Sequence, residues 1–392
     1  MFNSNYYKQI YLDSCSTSPI SNDVLERIIE VEKEYWGNPS SINKHGIRSA
    51  EILERSRFKI ASSFNAKSQE IIFTSGSTES IHLGIIGISK GLQKGRIIVS
   101  TVEHPAVYSA VNILKNNGWQ VDYLPVDTYG RVILDQLDIL LEPPTKIVSV
   151  IWAQNEVGTI QPIDKISKLC RDKNIIFHTD ATQYIGQSNI DWKALPIDLL
   201  SLSTHKIQGP RGVGILLIKE NLLSQIKPIY GGGGQEFGLR SGTESISLIS
   251  GMSLIINKRQ SPTEFIQKEN IRVKEMTCFL KNQLLELPGI DLLGHPTKRL
   301  DHHISVLLGT NSIEPISGRH VVRELSKLGI SVSSGSACSS GLEKDSNVLK
   351  AMQISDKRLK SALRLSLGPW LSYDDISQVP KRIDEILSPI TK

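Results

Sequence analysis

Two polar clusters follow apolar runs about twenty residues apart, and their residue types could do chemistry together. Asp180 stands in the string HTDATQ, directly after the run NIIF at 174–177. Lys206 closes the string STHK, which follows the run IDLLSL at 197–202. Each apolar run predicts a buried strand, and open α/β sheets place their sites at the carboxyl ends of such strands. A carboxylate and an amine are therefore expected at one edge of a sheet.

This pair has the chemistry that a pyridoxal phosphate site requires. An acid can keep a pyridinium nitrogen protonated, and an amine can form a Schiff base with an aldehyde. The same residues also have ordinary explanations, because an Asp after a strand is often a helix N-cap and a Lys in a loop is usually solvated. The neighbouring segments have to decide between these interpretations.

Three more predicted strand ends carry suitable polar groups. The strand at 70–74 is followed by SGSTES, where hydroxyls and free backbone N–H groups at a helix start suit a phosphate, although a capping box explains them too. His104 follows the strand RIIVS, so its imidazole either stacks on a ring or only begins a helix. Asn155 follows the strand predicted at 146–152 and is expected at the same edge.

The larger pattern predicts an α/β fold. Strands and helices alternate from residue 70 to about 218, which is typical of a doubly wound, mainly parallel sheet. After about residue 260, a long charged helix is followed by short strands and helices. We therefore place a domain boundary near residue 258.

The composition is that of a globular protein, with 39% hydrophobic and 22% charged residues in a chain of 392. The 45 basic and 40 acidic residues are scattered, so neither nucleic acid nor a membrane surface is expected as a partner. The N-terminus has no apolar signal segment, and no uncharged apolar run approaches the ~18 residues of a membrane span. A cytoplasmic location is expected.

The four cysteines differ in their sequence surroundings. Cys15, Cys170, Cys278 and Cys338 lie far apart without a CxxC pair, so neither a disulfide framework nor a metal site is predicted. Cys338 stands in SSGSACSSG at 333–341, where seven of nine residues are Ser or Gly and nothing packs into a core. We expect a reactive thiol on an exposed, mobile loop there, and inert thiols at the other three positions.

The order and spacing of eight strings resemble a known family over about residues 10 to 385. The strings are FTSGSTES, EHPAV, QNEVGTIQP, HTDATQ, SLSTHKIQGPRGVG, GGGGQEFGLRSGTES, SGSACSSG and ALRLSLG. They resemble the NifS/IscS-like cysteine desulfurases of the class-V aminotransferase family.

This resemblance implies the fold type I of pyridoxal-phosphate-dependent transferases. In that α/β fold a large domain has a seven-stranded, mainly parallel sheet, and a smaller C-terminal domain is α+β. The large cofactor-binding domain is then expected at 15–258. The small domain is expected at 1–14 and 259–392, with a mobile cysteine loop at about 333–345.

The resemblance also implies roles for single residues. Lys206 matches the Schiff-base lysine, Asp180 the partner of the ring nitrogen, and His104 the imidazole stacked on the ring. Gln183 matches the donor to the phenolic oxygen of the ring. The matches to the phosphate ligands are Ser77 through its backbone, Thr78, Ser203, His205 and, from the other subunit of a dimer, Thr243.

The implied reaction takes sulfur from L-cysteine and leaves L-alanine. Asn155, beside the cofactor, and Arg364 match the residues that hold the substrate carboxylate. Cys338 matches the nucleophile that becomes a persulfide, passes sulfur to an acceptor or iron–sulfur scaffold protein, and can share a transient iron–sulfur cluster. A homodimer is expected. The chain departs from the family at Gln154, where Asn is usual, and at Cys15, which puts a thiol into a run of small residues.

Two alternatives stay open at this point. One is a selenocysteine lyase or another class-V aminotransferase activity that uses Lys206 but not Cys338. The other is a non-catalytic assembly protein that keeps the fold. The Ser/Gly loop around Cys338 argues against the first, and the joint presence of Lys206, Asp180, His104 and Cys338 argues against the second.

Overall fold

The computed structural model describes residues 9–309, 314–335 and 345–391. Cys338 and most of the predicted cysteine loop lie outside these ranges.

The strands are β1 (Ile10–Tyr11), β2 (Ile71–Thr74), β3 (Arg96–Ser100), β4 (Gln120–Leu124), β5 (Thr145–Ser149), β6 (Ile176–Asp180), β7 (Leu199–Ser203), β8 (Gly214–Ile218), β9 (Ile290–Leu292), β10 (His303–Leu308), β11 (Ile330–Ser331) and β12 (Ala362–Ser366). The helices are α1 (Asn22–Glu34), α2 (Lys44–Ser63), α3 (Ser77–His82), α4 (Pro105–Asn116), α5 (Leu134–Leu140), α6 (Ile163–Asp172), α7 (Ile246–Gln260), α8 (Glu264–Leu285), α9 (Gly318–Lys327), α10 (Asn347–Ala351), α11 (Tyr373–Ser377) and α12 (Val379–Thr391).

The central sheet has seven strands in the order β2-β8-β7-β6-β5-β3-β4. Only β8 runs antiparallel to its neighbours, so the mainly parallel seven-stranded sheet expected from the sequence is confirmed. The strands of its centre are buried over their whole length. Helices cover both faces of such a sheet, so its strands must be apolar on both sides.

The side chains of the sheet alternate between two apolar layers. Along β8, Ile215 and Leu217 pack into one core cluster, whereas Leu216 and Ile218 pack into the other. This period of two is the geometry of a pleated strand. The two layers hold the strands rigidly, and the residues that follow the strand ends are therefore presented at fixed positions.

A second, smaller core lies beside the large sheet. It combines Ile10 and Leu12 with apolar residues between Val273 and Leu387. The strands β12, β10 and β9 form an antiparallel sheet of three, and β1 pairs in parallel with β11. The N-terminal segment thus packs with the C-terminal part of the chain. The domain division after residues 14 and 258 stays a prediction. None of the helices in the described ranges is long and apolar enough to cross a membrane.

Candidate active site

One cavity of about 480 Å³ lies at the carboxyl edge of the central sheet. The strands β2, β3, β5, β6 and β7 run in the same direction, so the residues that follow them meet at this edge. Among the predicted site residues, the cavity is lined by Ser77, Thr78, His104, Asn155, Asp180, Gln183, Ser203, His205, Lys206 and Arg364. Five lining residues that the sequence analysis did not assign are Cys15, Ser16, Glu79, Thr182 and Arg211.

Asp180 ends β6 and is buried. Its Oδ1 accepts hydrogen bonds from the Thr182 N–H, at 2.9 Å, and from the Thr182 hydroxyl, at 2.5 Å. The Thr182 hydroxyl also lies 2.7 Å from that of Ser77. Within the described part of the chain, no hydrogen bond ends on Oδ2. Asp180 is therefore held firmly through one oxygen, and the other can accept a hydrogen bond from a ligand in the cavity.

His104 is the N-cap of α4, as its position before Pro105 predicted. Its Nδ1 accepts a hydrogen bond from the Ala106 N–H, at 3.2 Å, so this nitrogen is unprotonated and the ring is fixed. Burial lowers the pKa of His104, Asp180 opposes this change, and Lys206 adds to it. The imidazole is thus neutral at pH 7 and presents a flat face to the cavity.

The turn after β7 carries His205 and Lys206. The His205 carbonyl accepts hydrogen bonds from the Ser18 N–H, at 2.7 Å, and the Ser18 hydroxyl, at 2.9 Å, so the N-terminal segment holds the turn in place. Burial, together with the cations of Lys206 and Arg211, lowers the pKa of His205 to about 4. His205 is therefore a neutral hydrogen-bonding group between two cationic side chains.

Arg364 reaches the cavity from β12 of the smaller sheet, and its side chain is only 3% exposed. Its Nη2 donates to Asp13 Oδ1 and to the Ser16 hydroxyl, both at 2.7 Å. Its Nη1 donates to the Asn155 carbonyl, at 3.0 Å. The turn that carries Asn155 is in turn held by the Gln154 side chain, whose Oε1 accepts from the N–H of Val157. Asn155 and Arg364 are thus brought together although they are far apart in sequence.

The turn between β2 and α3 forms the opposite end of the cavity. Gly214 begins β8 beside this turn, and a Cβ at Gly214 would lie 2.6 Å from Gly76, so only glycine fits. The Glu79 carboxylate is occupied, since it accepts from the Ser75 N–H at 2.6 Å and from Arg240 Nε at 3.0 Å. Its charge is therefore matched by Arg240. Ser75, Ser77 and Thr78 bring hydroxyl groups to this wall of the cavity, and such groups suit a bound anion.

Of the predicted site residues that the structure describes, Thr243 alone does not line this cavity. Thr243 is exposed and follows Gly242, whose N–H donates to Gln235 Oε1 at 3.0 Å. Its assignment to the site of a second subunit stays a prediction. Cys338 lies outside the described residues, and so does the stretch from 336 to 344 around it. In the part of the chain that is described, no group of three or more His, Cys, Asp or Glu is placed to hold a metal ion.

The family model for class-V aminotransferases matches residues 10–379. The chain belongs to the class-V aminotransferase family. It is 38% identical over 392 residues to the cysteine desulfurase IscS of Methanosarcina thermophila, which covers 98% of this chain and 95% of that protein. Class-V aminotransferases are pyridoxal-phosphate-dependent enzymes. The cavity of this chain is lined by an acid, a lysine and an imidazole.

Solved class-V structures have the same fold. A NifS-like protein superposes with a TM-score of 0.89 at 32% identity, covering 97% of this chain and 99% of that one. The structure of SspA in complex with cysteine gives a TM-score of 0.79 at 28% identity, over 93% of this chain and 100% of that one. The predicted resemblance to NifS/IscS-like proteins and the predicted fold type are thereby confirmed.

Proposed function

We propose that the chain is a pyridoxal-phosphate-dependent cysteine desulfurase. It converts L-cysteine into L-alanine and takes the sulfur onto Cys338 as a persulfide. The observation that carries this proposal is the convergence of Asp180, His104, Lys206 and Arg364 on one cavity. The names of the relatives, which are cysteine desulfurases and NifS-like proteins, support it.

The residues of the cavity fit the cofactor. Asp180 would accept a hydrogen bond from the protonated pyridine nitrogen on its open Oδ2 and so keep that nitrogen protonated, and the neutral ring of His104 would stack on the pyridine ring. Lys206 would hold the aldehyde carbon, and Gln183 would donate to the phenolic oxygen. The residues that would hold the phosphate are Ser77 through its backbone, Thr78, Ser203, His205 and, from a second subunit, Thr243. When bound, pyridoxal phosphate supplies an electron-accepting ring joined to the α-carbon of the substrate.

The chemistry of the chain itself then has three parts. Arg364 and Asn155 bind the substrate carboxylate and so fix the orientation of the α-carbon. The Lys206 amine, released by the substrate amine, moves protons at that carbon. The Cys338 thiolate attacks the substrate sulfur, because the thiolate is the nucleophilic form of cysteine.

The partners follow from this function. The substrate is L-cysteine, and a sulfur acceptor or iron–sulfur scaffold protein takes the sulfur from Cys338. Two copies of the chain form a homodimer, in which Thr243 reaches the partner's phosphate site. The exposure of Thr243 and of large apolar side chains such as Trp36, Ile42 and Phe58 supports such pairing. The cytoplasmic location stays a prediction.

The test is the reaction of the purified protein, loaded with pyridoxal phosphate, with L-cysteine. Equal amounts of alanine and of transferable sulfur are expected, and Cys338→Ser should lose most of the alanine formation. Cys278→Ser is the matched control, because Cys278 is exposed on α8. Full desulfuration by the Cys338→Ser protein would contradict the role of Cys338. Activity with selenocysteine but not with cysteine would favour a selenocysteine lyase.

A further inference from the structure

Among the described residues that line the cavity, one is a cysteine, Cys15. This side chain is 2% exposed at the protein surface, yet it lines the same cavity as Asp180 and Lys206. Its Sγ lies 3.7 Å from Nε2 of His302, which is within the range of a hydrogen bond to sulfur. A thiol beside an imidazole is the arrangement that activates a cysteine nucleophile. Sequence alone did not indicate this pair, because the two residues are 287 positions apart.

The electrostatic surroundings favour the thiolate of Cys15. Burial raises the pKa of this thiol, but the hydrogen bond and charge of His302, together with the cations of Arg364 and Lys206, outweigh burial and lower it. Cys170 is also buried, and there burial and the charge of Asp198 raise the pKa of the thiol. The surroundings of the two buried cysteines therefore shift the thiol pKa in opposite directions.

The backbone around Cys15 is fixed from both sides. Its N–H donates to the Ser366 hydroxyl, at 2.9 Å, and its carbonyl accepts from Gln183 Nε2, at 3.0 Å. The neighbouring Ser16 accepts a hydrogen bond from Arg364. The thiol is thus held in place next to a residue that we assign to the substrate carboxylate.

An independent observation points to a ligand at this wall of the cavity. The Arg364 side chain is 3% exposed and lines the cavity, and its Nε has no hydrogen-bond partner among the described residues. A buried guanidinium nitrogen without a partner is costly, and a bound carboxylate would compensate for it. A cysteine held there by its carboxylate would have its sulfur in the cavity that Cys15 lines.

We propose that Cys15 is a second sulfur-accepting thiol, which becomes a persulfide when sulfur is released in the cavity. This inference rests on the proposed desulfurase function. The overall reaction balances, since L-cysteine and the Cys15 thiol give L-alanine and a Cys15 persulfide. The bond that forms joins two sulfur atoms, and the bond that breaks is Cβ–Sγ of the substrate. Its electron pair stays with the carbon skeleton, which takes up a proton.

The sulfur has two possible sources. In the first, the Cys15 thiolate attacks the substrate sulfur directly, while His302 accepts the thiol proton. In the second, it attacks the outer sulfur of the Cys338 persulfide, which forms one S–S bond, breaks another and releases the Cys338 thiolate. Both sources give the same persulfide on Cys15.

The test uses the full chain loaded with pyridoxal phosphate and L-cysteine that carries a sulfur isotope. After one turnover, persulfides are capped with an alkylating reagent, and the labelled peptides are identified by mass spectrometry. We expect label on the Cys15 peptide at least tenfold above that on the peptides of Cys170 and Cys278. In Cys338→Ser, label on Cys15 indicates the direct source, and its loss indicates transfer from Cys338.

The outcomes separate this inference from the proposed function. If alanine forms but the Cys15 peptide carries no more label than the Cys170 peptide, the inference is wrong and the desulfurase function stands. If no alanine forms from cysteine, both are wrong.

A second measurement tests the role of His302 as a positioning and activating residue. The rate of Cys15 alkylation by iodoacetamide is followed against pH in the unmodified protein. Its midpoint is expected below the pKa of about 8.5 of a free thiol. His302→Gln should lower that rate about tenfold at pH 7, as a rise of one pKa unit requires. A midpoint at or above that of free cysteine would overturn the proposal. Because this midpoint is measured on the unmodified protein, the test holds even if His302→Gln does not fold.

Discussion

Two cavities of similar size lie at opposite edges of the same sheet, and only one of them has the features of an active site. The carboxyl-edge cavity measures about 480 Å³, and the amino-edge cavity, lined by residues such as Lys146, Arg171 and Asp198, measures about 400 Å³. At the amino edge, the Arg171 side chain is 61% exposed and pairs with its neighbour Asp172. The volume of a cavity therefore does not by itself identify it as an active site.

The two cavities differ in whether the polar side chains that line them have hydrogen-bonding atoms left without a partner. At the carboxyl edge, Asp180 keeps one oxygen open, and Arg364 keeps one buried nitrogen without a partner in the described part of the chain. At the amino edge, none of the residues lining the cavity has a buried side-chain nitrogen or oxygen without a hydrogen-bond partner in the described part of the chain. A buried guanidinium nitrogen without a partner is costly, so its position at a cavity wall indicates a ligand there.

The largest expected effect is that of Lys206→Ala. Among the described residues, no other lysine lines this cavity to hold the cofactor and move the proton, so alanine formation should fall at least about 10³-fold. Lys146→Ala, at the amino edge, is the matched control and should keep the turnover of the unmodified protein. The rate of alanine formation is measured for both variants and for the unmodified protein. Their melting temperatures confirm that the variants are folded. Comparable losses in both variants would remove the distinction between the two cavities.

A smaller effect is expected from Asp180→Asn. The amide keeps the shape of the side chain but not its charge, and a charge-assisted hydrogen bond contributes about 1.5–3 kcal/mol. Turnover should therefore fall about 10- to 100-fold while the protein remains folded. Asp198→Asn, which changes a half-buried carboxyl directly before β7, should have little effect on turnover. Near-normal turnover of the Asp180→Asn enzyme would contradict the role assigned to this residue.

The smallest expected effect concerns stability and pH at Glu103, which precedes His104. Burial raises the pKa of Glu103 to about 8, although hydrogen bonds from Ser100 and Ile151 oppose this. The folded protein then binds a proton that the unfolded chain has lost above pH ~4.5. Its contribution to stability is present below that pH and is lost, at about 1 kcal/mol per unit, as the pH rises to 8.

Glu103→Gln removes this titration. The melting temperature of the variant, relative to the unmodified protein, should therefore rise steadily between pH 5 and pH 8. Parallel melting curves over that range would show that Glu103 is ionised in the folded state.

The sequence predicted most of the carboxyl edge, because the relevant residues directly follow apolar runs. Asp180, His104 and Lys206 are local features of their strands, and the direction of parallel strands brings their ends together. The reversal of β8 was not predictable, since the run GILLI is buried on both faces and has no periodicity that reveals direction. The pairing of β1 with β11 joins segments 320 residues apart and leaves no local signal.

The residues that the sequence analysis did not assign act through distant contacts. Thr182 is the exception, since it supports Asp180 from two residues away, through a hydroxyl that any helix start could carry. Cys15 gains its surroundings from His302 and Arg364, which belong to the smaller sheet and its connections. Arg364 itself was found only through the resemblance to a family. Contacts across several hundred residues depend on tertiary packing, which composition and spacing do not encode.

The central claim is that the carboxyl-edge cavity holds pyridoxal phosphate on Lys206. The most direct measurement loads the protein with pyridoxal phosphate, reduces it with borohydride and maps the modified peptide by mass spectrometry. The predicted result is a pyridoxyl group on the peptide that contains Lys206, and none on the peptide of Lys146. A pyridoxyl group on another lysine, or on no lysine, would contradict the assignment of this cavity.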